Sequence, residues 1–226
     1  MTRLVRAGLG ALLIVGGVLG FALTRTEAPP PGFVSIRSAP AFQDAALLAR
    51  AWALPVAKTF PHPLISQPNP SACGPTSGAN VLRSEGTTAS SDDVAAHGKG
   101  CVAGLCFGGL TLTQLADALR GAAPEAKVVE LHPATLEEFR EELRHANDPD
   151  RRLIINFTRK PLFGAGGGHH SPLGGYLEAE DLVFVLDVNE HYGPWLVSST
   201  RLFEAMDTVD PSSGQKRGLL RLGKQE

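Results

Sequence analysis

The sequence predicts an α+β domain in which helices come first and an antiparallel sheet follows. In the first half of the chain, apolar residues recur at helical spacing, whereas from position 153 onward short β-branched and aromatic runs replace them. This order argues against the regular strand–helix alternation of a doubly wound parallel sheet. With 43% hydrophobic and 19% charged residues, the chain can bury one ordinary core, which excludes intrinsic disorder.

The N-terminal 32 residues (1–32) are predicted to lie outside that core. A basic flank precedes an uncharged run over 7–23, which is the order of an export signal. Cleavage after Ala22 would satisfy the small-x-small rule, and an uncleaved membrane anchor is an equally open alternative. Residues 24–32 contain three consecutive prolines and indicate a tether. We therefore expect a single folded domain over 33–226, exported to the periplasm or held outside the cytoplasm, with membrane contact only through the N-terminal segment.

Four helices are predicted before position 150. Alanine- and leucine-rich sequence at one-face spacing indicates the first, within 41–57. The second begins around Cys73, because Pro75 then falls in the first turn, where a missing N–H costs nothing. The other two each start with a capping box, Thr111 with Gln114 and Thr135 with Glu138.

The second half of the chain predicts strands at 153–157, 174–177, 182–188, 195–197 and 218–222. Between the first two lies a glycine-rich segment, 164–168, which is not followed by Gly-Lys-Ser or Gly-Lys-Thr and therefore does not match a phosphate-binding loop. We interpret it as a flexible approach to His169.

Cys73 is the candidate nucleophile. A thiol at the first turn of a helix faces unpaired N–H groups and a partial positive charge, which favour the thiolate. Taken alone, a cysteine before a glycine is more often a small buried residue. A cysteine nucleophile also needs a base, for which His169 is the candidate, and Asp187, at the end of the strand that begins at 182, can orient the imidazole.

The order Cys, His, Asp, with the thiol on a helix and the other two on a sheet, is the papain-type layout. The predicted fold is therefore papain-like, with an N-terminal helical part carrying the nucleophile. Gln67, six residues before Cys73, can then donate to an oxyanion beside the Cys73 backbone N–H.

Several separated segments resemble the phytochelatin synthase family, papain-like γ-glutamylcysteine transferases and glutathione hydrolases. The likeness extends over about 60–222. It is carried by SQPNPSACG at 66–74, GHHSPLGGY at 168–176, LDV at 186–188, EAMDTVD at 204–210 and KRG at 216–218.

The resemblance implies that Cys73 attacks the Cys–Gly peptide bond of glutathione and forms a γ-glutamylcysteinyl thioester, while His169 protonates the departing glycine. It implies that Asn156 and Arg217 hold the γ-glutamyl end; a guanidinium can pair with a carboxylate there. His170 falls where the family tolerates Phe or Ile, so we expect it to serve in packing. No cofactor and no protein metal site are implied, although metal–glutathione thiolates are possible substrates or activators.

One departure from the family concerns the second substrate. After Asp-Val, the family usually has an arginine and a lysine before Tyr-Pro-Pro, whereas this chain reads NEHYGP at 189–194. An acceptor with several carboxylates would lose two positive partners and meet Glu190. We therefore expect hydrolysis of glutathione rather than chain extension.

Two other function classes stay open at this point: a general papain-like peptidase of the cell envelope, and a non-catalytic binder of metals or thiols. Cys101 and Cys106 can form a short-loop disulfide in an exported protein or remain free. A nucleic-acid partner is not expected, because the net charge is −2 and no block of like charge occurs.

Overall fold

An antiparallel sheet is the centre of the fold. The computed structural model describes position 29 and positions 31–224. Within that part, the sheet comprises β3 (Ala126–Leu131), β4 (Arg151–Thr158), β5 (Gly168–Leu177), β6 (Leu182–Leu186), β7 (Pro194–Ser198) and β8 (Leu219–Lys224). The strand order is β3-β8-β4-β5-β6-β7, and every neighbouring pair is antiparallel. A separate small hairpin is formed by β1 (Cys101–Val102) and β2 (Leu105–Cys106).

Helices cover both faces of this sheet. They are α1 (Ala45–Trp52), α2 (Cys73–Ser84), α3 (Ser91–Ala95), α4 (Leu112–Ala122), α5 (Leu136–Arg144), α6 (Lys160–Phe163) and α7 (Ser199–Met206). Short 3-10 turns occupy Ile36–Ser38, Ala57–Thr59, His145–Asn147 and Glu178–Glu180.

Side-chain alternation along the strands divides the core into two parts. In β4, Ile154 packs with the cluster that contains α2 and α4, whereas Ile155 and Phe157 pack with α5 and α7 on the opposite face. In β6, Phe184 and Val185 divide in the same way. Because successive side chains of a strand point to opposite faces, a strand that is buried on both sides contributes to both clusters.

Local capping fixes where several helices begin. Thr111 and Gln114 form the predicted reciprocal capping box. At α5, Thr135 accepts from the Glu138 backbone N–H, but the Glu138 carboxylate accepts from the Ala134 N–H instead of closing the box. The predicted helix start is correct at both places.

The predicted strands are confirmed, and β5 starts earlier than expected, so that His169 lies on the strand itself. The first helix is shorter than 41–57, because Asp44 caps it at the Leu47 N–H. The segregation of helices before strands is incomplete: β3 lies between α4 and α5, and α7 follows β7. β3 is an edge strand buried mainly on one face, which weakens its sequence signal.

The predicted signal or anchor falls on residues 1–28, which lie outside the described residues. In the part of the chain that the structure does describe, no helix has the length and apolar character needed to cross a membrane.

Polar side chains of α2 attach this helix to its surroundings. Ser77 Oγ donates to the His170 carbonyl on β5 at 3.0 Å. The Asn80 amide accepts from the Ile65 N–H and donates to the Ile65 carbonyl, both at 2.9 Å. Ile65 lies on the extended segment that leads toward Gln67. These bonds hold the start of α2 against β5 and against that segment.

Candidate active site

Cys73 is the first residue of α2, as predicted, and its side chain is buried. The residue before it, Ala72, provides no side-chain cap. The first backbone N–H groups of the helix are therefore not satisfied by a capping side chain and remain able to interact with a negative charge. The thiol interacts electrostatically with two adjacent imidazoles, those of His169 and His170.

His169 joins Cys73 to Asp187. Its Nε2 donates to Asp187 Oδ1 at 2.9 Å, which leaves Nδ1 for the thiol. Asp187 is the first residue after β6 and is almost fully buried. Phe157 packs against the imidazole edge to face, with ring centroids 5.5 Å apart, and restricts the ring from one side. The structure thus brings together the three residues that the sequence analysis proposed as nucleophile, base and orienting acid.

The Asp187 carboxylate accepts from more donors than the sequence analysis expected. In addition to His169, it accepts from Arg159 Nη2, from Trp195 Nε1 at 3.0 Å and from the Asn189 backbone N–H at 2.9 Å. Burial alone would raise the pKa of Asp187, but the charge and hydrogen bond of His169, with the charge of Arg159, lower it to about 2. This carboxylate is ionised at neutral pH.

The same electrostatics divide charge between the thiol and the imidazole. Burial opposes ionisation of Cys73, but hydrogen bonds from His169 and His170 lower the pKa of the thiol well below its usual value. Burial also disfavours the imidazolium of His169, yet Asp187 and Cys73 together raise the pKa of His169. The arrangement therefore favours a thiolate–imidazolium pair over the neutral pair.

Gln67 lies on the segment that leads to Cys73, and its side-chain amide forms a hydrogen bond within that same segment. Its backbone N–H donates to the Val188 carbonyl at 2.8 Å, beside the Asp187 position. Its side-chain Nε2 donates to the Asn69 carbonyl at 2.9 Å, and Oε1 is buried without a hydrogen-bond partner. One N–H of the amide is left over, because a primary amide has two.

A cleft opens beside Cys73 and contains both predicted substrate-binding residues. The part next to the sulfur has a volume of about 300 Å³, and a second part of about 450 Å³ adjoins it. Asn156 and Arg217 line both parts, together with Asp210. Arg217 is buried; its Nη1 donates to Asn156 Oδ1 at 2.8 Å and to Asp210 Oδ2 at 3.1 Å.

The Arg217 guanidinium does not use all of its hydrogen-bond donors. Its Nε is buried and has no hydrogen-bond partner in the structure. Arg217 lines the cleft as a buried guanidinium, which suits a carboxylate ligand because guanidinium and carboxylate match in charge and in geometry.

His170, for which a packing role is predicted, also makes a polar contact. Its ring is buried and lines the part of the cleft next to the sulfur. Asn156 Nδ2 lies 2.8 Å from its Nε2 and 3.3 Å from its Nδ1.

The hairpin β1–β2 is closed by a disulfide between Cys101 and Cys106, and the residues that follow it, Gly108, Gly109 and Leu110, line the part of the cleft next to the sulfur. The Cys106 N–H donates to Ser71 Oγ at 3.2 Å, and Asn69 Nδ2 donates to the Gly104 carbonyl at 3.3 Å. Because Asn69 and Ser71 precede the nucleophile directly, the hairpin supports the segment that leads into α2.

Two kinds of comparison with known proteins agree with this geometry. The family model described as phytochelatin synthase matches residues 30–219. Curated relatives include a glutathione γ-glutamylcysteinyltransferase 3 of Lotus japonicus, 33% identical over 51% of this chain and 25% of that protein. Another, the glutathione γ-glutamylcysteinyltransferase 1 of Triticum aestivum, is 38% identical over 40% of this chain and 19% of that protein. The matches thus span about a quarter or less of these relatives' length.

Solved structures identify the fold. A double glycine motif protease from an AMS/PCAT transporter, in complex with its leader peptide, aligns with a TM-score of 0.50 at 14% identity, over 72% of this chain and 91% of that one. A C39-like peptidase from Bacillus anthracis aligns with a TM-score of 0.50 at 16% identity, over 73% and 95%. The fold is papain-like α+β, and with the family match over 30–219 the chain belongs to the phytochelatin synthase family.

Proposed function

We propose that this chain is a thiol-dependent enzyme that cleaves glycine from glutathione through an acyl intermediate on Cys73. The observation that carries the proposal is that Cys73, the nucleophile of the Cys73–His169–Asp187 triad, lines the same cleft as the buried Arg217. The triad supplies amide-cleaving chemistry, and the guanidinium supplies a partner for the α-carboxylate of a γ-glutamyl group.

In the first step, the Cys73 thiolate attacks the carbonyl carbon of the Cys–Gly bond. The C–N bond then breaks, and the proton on His169 moves to the nitrogen of the departing glycine. A γ-glutamylcysteinyl thioester remains on the sulfur. Gln67 and the Cys73 backbone N–H stabilise the oxyanion of each tetrahedral intermediate, and Asp187 holds the imidazole in the orientation needed for both proton transfers.

The thioester can be resolved by water or by the amine of a second thiol peptide. We favour water, because the loop after Asp187 carries Glu190 and lacks the basic pair typical of the family. Glu190 is an exposed residue of this loop. Its negative charge would repel an acceptor with several carboxylates that approached the thioester there. Metal–glutathione thiolates fit the proposal as substrates and require no protein metal site.

Mass spectrometry of glutathione incubated with the purified chain tests this proposal, with and without cadmium or zinc. We expect free glycine and γ-glutamylcysteine, and none from Cys73→Ala. Oligomers of γ-glutamylcysteine ending in glycine would show that the preference for water is wrong. Cleavage of unrelated peptides with glutathione left intact would favour the peptidase alternative, and unchanged thiol or metal binding by Cys73→Ser would favour the binder.

Arg217 provides a sharper control within this experiment. Arg217→Met should raise KM for glutathione strongly, whereas Arg50→Met should change it little, because Arg50 pairs with Glu180 at the surface and does not line the cleft. Equal KM values for the two variants would remove Arg217 from the substrate site.

We also propose that the domain works outside the cytoplasm. The Cys101–Cys106 disulfide supports this, because disulfides persist mainly in oxidising compartments. Cell fractionation with N-terminal sequencing distinguishes a soluble protein cleaved after Ala22 from a membrane-bound protein that retains residues 1–32. Recovery of the chain with the cytoplasmic fraction would contradict the proposal.

A further inference from the structure

Two side chains besides His169 donate to the Asp187 carboxylate, the Arg159 guanidinium and the Trp195 indole. Arg159 Nη2 contacts both carboxylate oxygens, and Trp195 Nε1 donates to Oδ2 at 3.0 Å. The orientation of the carboxylate, and with it that of the His169 ring, therefore depends on what keeps these two donors in place.

The Arg159 guanidinium lies among three aromatic rings. Its Cζ is 3.7 Å from the ring centroid of Tyr192, 5.5 Å from that of Phe163 and 5.8 Å from that of Phe157. At such distances the ring quadrupole attracts a cation, and the attraction is stronger where water is excluded. Nη1 is buried and has no hydrogen-bond partner among the described residues. Apart from Asp187, the side-chain contacts of this guanidinium are therefore mainly with rings, and Tyr192 is the nearest of them.

A second guanidinium lies over the same Tyr192 ring. The Arg37 Cζ is 4.7 Å from the Tyr192 centroid and 5.7 Å from the Phe163 centroid. Arg37 is exposed and belongs to the 3-10 turn Ile36–Ser38, which precedes the first helix. The Tyr192 ring thus joins the buried cation that holds Asp187 to an exposed cation more than a hundred residues earlier in the chain.

The segment 36–43, which contains Arg37, also holds the backbone of Tyr192 and the second donor to Asp187. Gln43 Nε2 donates to the Tyr192 carbonyl at 2.8 Å. Phe42 stacks on Trp195 with ring centroids 6.1 Å apart and an interplanar angle of 21°, and its carbonyl accepts from the Leu196 N–H at 2.9 Å. Segment 36–43 therefore contacts the loop and the strand from which the partners of Asp187 are held.

We propose that Tyr192 is a positioning residue of the triad. Its ring keeps Arg159 on Asp187, and thereby keeps the His169 imidazole directed at Cys73, while Arg37 holds the ring from segment 36–43. Tyr192 is not one of the described residues that line the cleft, so it acts through Arg159 and not on a substrate. The proposal depends on the triad and does not depend on glutathione being the substrate.

Alkylation of Cys73 by iodoacetamide across a pH series tests this role in the full chain, because Cys73 is the free cysteine. Tyr192→Leu removes the ring face, so that Asp187 holds the imidazole less firmly and the thiolate loses part of its stabilisation. We expect the rate in the acidic range to fall about fivefold. Tyr192→Phe keeps the ring face and should retain most of the wild-type rate.

Phe203→Leu is the matched control for a loss of packing. Phe203 is also a partly buried ring on the same core cluster, where it contacts Phe139 with centroids 5.8 Å apart. Both leucine variants should unfold at lower urea concentration, but only Tyr192→Leu should slow alkylation of the folded protein. The proposal is overturned by a wild-type profile in Tyr192→Leu, by an equal loss in Phe203→Leu, or by an equal loss in Tyr192→Phe.

Arg37→Met provides a second test with little risk to folding, because Arg37 is exposed. We expect a smaller decrease of the acidic rate, about twofold. Arg37→Met added to Tyr192→Leu should lower the rate no further, since Arg37 acts through the ring. Arg50→Met, at another exposed arginine, should match the wild type. An unchanged rate in Arg37→Met, or additive losses in the double variant, would contradict the proposal.

If glutathione is not cleaved but the alkylation results hold, the proposed function fails and the inference stands. If glutathione is cleaved and Tyr192→Leu alkylates as the wild type does, the inference fails and the proposed function stands.

Discussion

Arg159 holds Asp187 with a single nitrogen: Nη2 lies 2.9 Å from Oδ1 and 2.8 Å from Oδ2. Both side chains are buried, and the guanidinium also lies over the Tyr192 ring, 3.7 Å from its centroid. Because each charge has been removed from water, each depends on the other. The pair therefore fixes the carboxylate in the place from which it reaches His169.

Arg159→Met should destabilise the fold, because it removes one of the two positively charged partners of the buried Asp187 carboxylate. We expect a loss of about 3–5 kcal/mol in the free energy of unfolding, measured in urea at neutral pH. Arg159→Met combined with Asp187→Asn should cost less than the sum of the two single changes. Strict additivity would show that the pair does not contribute as a unit.

Asp187→Asn should reduce kcat/KM for glycine release by about 100-fold or more, a few kcal/mol of barrier, because the imidazole loses the acceptor that orients it. Single-turnover kinetics measures this loss, and a thermal melt of the same sample shows how much protein is folded. A folded variant with wild-type rates would remove Asp187 from the mechanism.

The pH profile of Cys73 should show an ion pair. The thiol pKa is lowered and the His169 pKa is raised, so sulfur ionises as pH rises through the lower value while the imidazolium persists up to the higher one. We expect alkylation of Cys73 to continue well below the pH at which an ordinary thiol reacts. His169→Ala should move the profile upward; an unchanged profile would contradict the pairing.

Gln67→Ala should lower kcat by about 100-fold or more if its free N–H reaches the oxyanion. KM should change little, because the ground-state carbonyl makes the weaker contact. The nearby Asn69→Ala gives a comparison, since it alters the same segment without removing the proposed donor. Equal losses in both variants would assign Gln67 a structural role.

The disulfide predicts a specific thiol count. Denatured but unreduced chain should react with one maleimide, at Cys73, and fully reduced chain with three. Removing the bridge by Cys101→Ser with Cys106→Ser should cost about 2 kcal/mol of unfolding free energy for so short a loop. Three reactive thiols before reduction would mean that the bridge does not form.

The sequence was sufficient to predict those parts of the site that depend only on residues close by in the chain. The start of α2 follows from Pro75 in its first turn, whereas the strand after His169 and the position of Asp187 follow from the β-branched and aromatic runs close to those residues. Arg159 and the indole of Trp195 were not predicted as partners of Asp187, because those contacts depend on how the ends of β4, β6 and β7 come together.

Other differences have similar causes. β3 was missed because an edge strand with one buried face carries a weak pattern. α7 was missed although Ser198 caps it and Leu202, Ala205 and Met206 have helical spacing; that signal was available in the sequence. His170 was assigned to packing because its polar partners arrive from β4 and α2, and neither is evident from the residues around it.

Helix α2 is buried along almost its whole length, with Arg83 as its only residue that is not. The outer wall of the cleft is different: positions 211–216 are all exposed, on a loop closed by the Val209–Lys216 bridge and by the Asp210–Gln215 backbone bond. Reactivity and recognition are therefore encoded in separable parts of the gene. A library randomised at 211–216 should yield folded variants with altered substrate choice and an undiminished nucleophile, which makes this loop the natural starting point for engineering the scaffold toward other acyl donors.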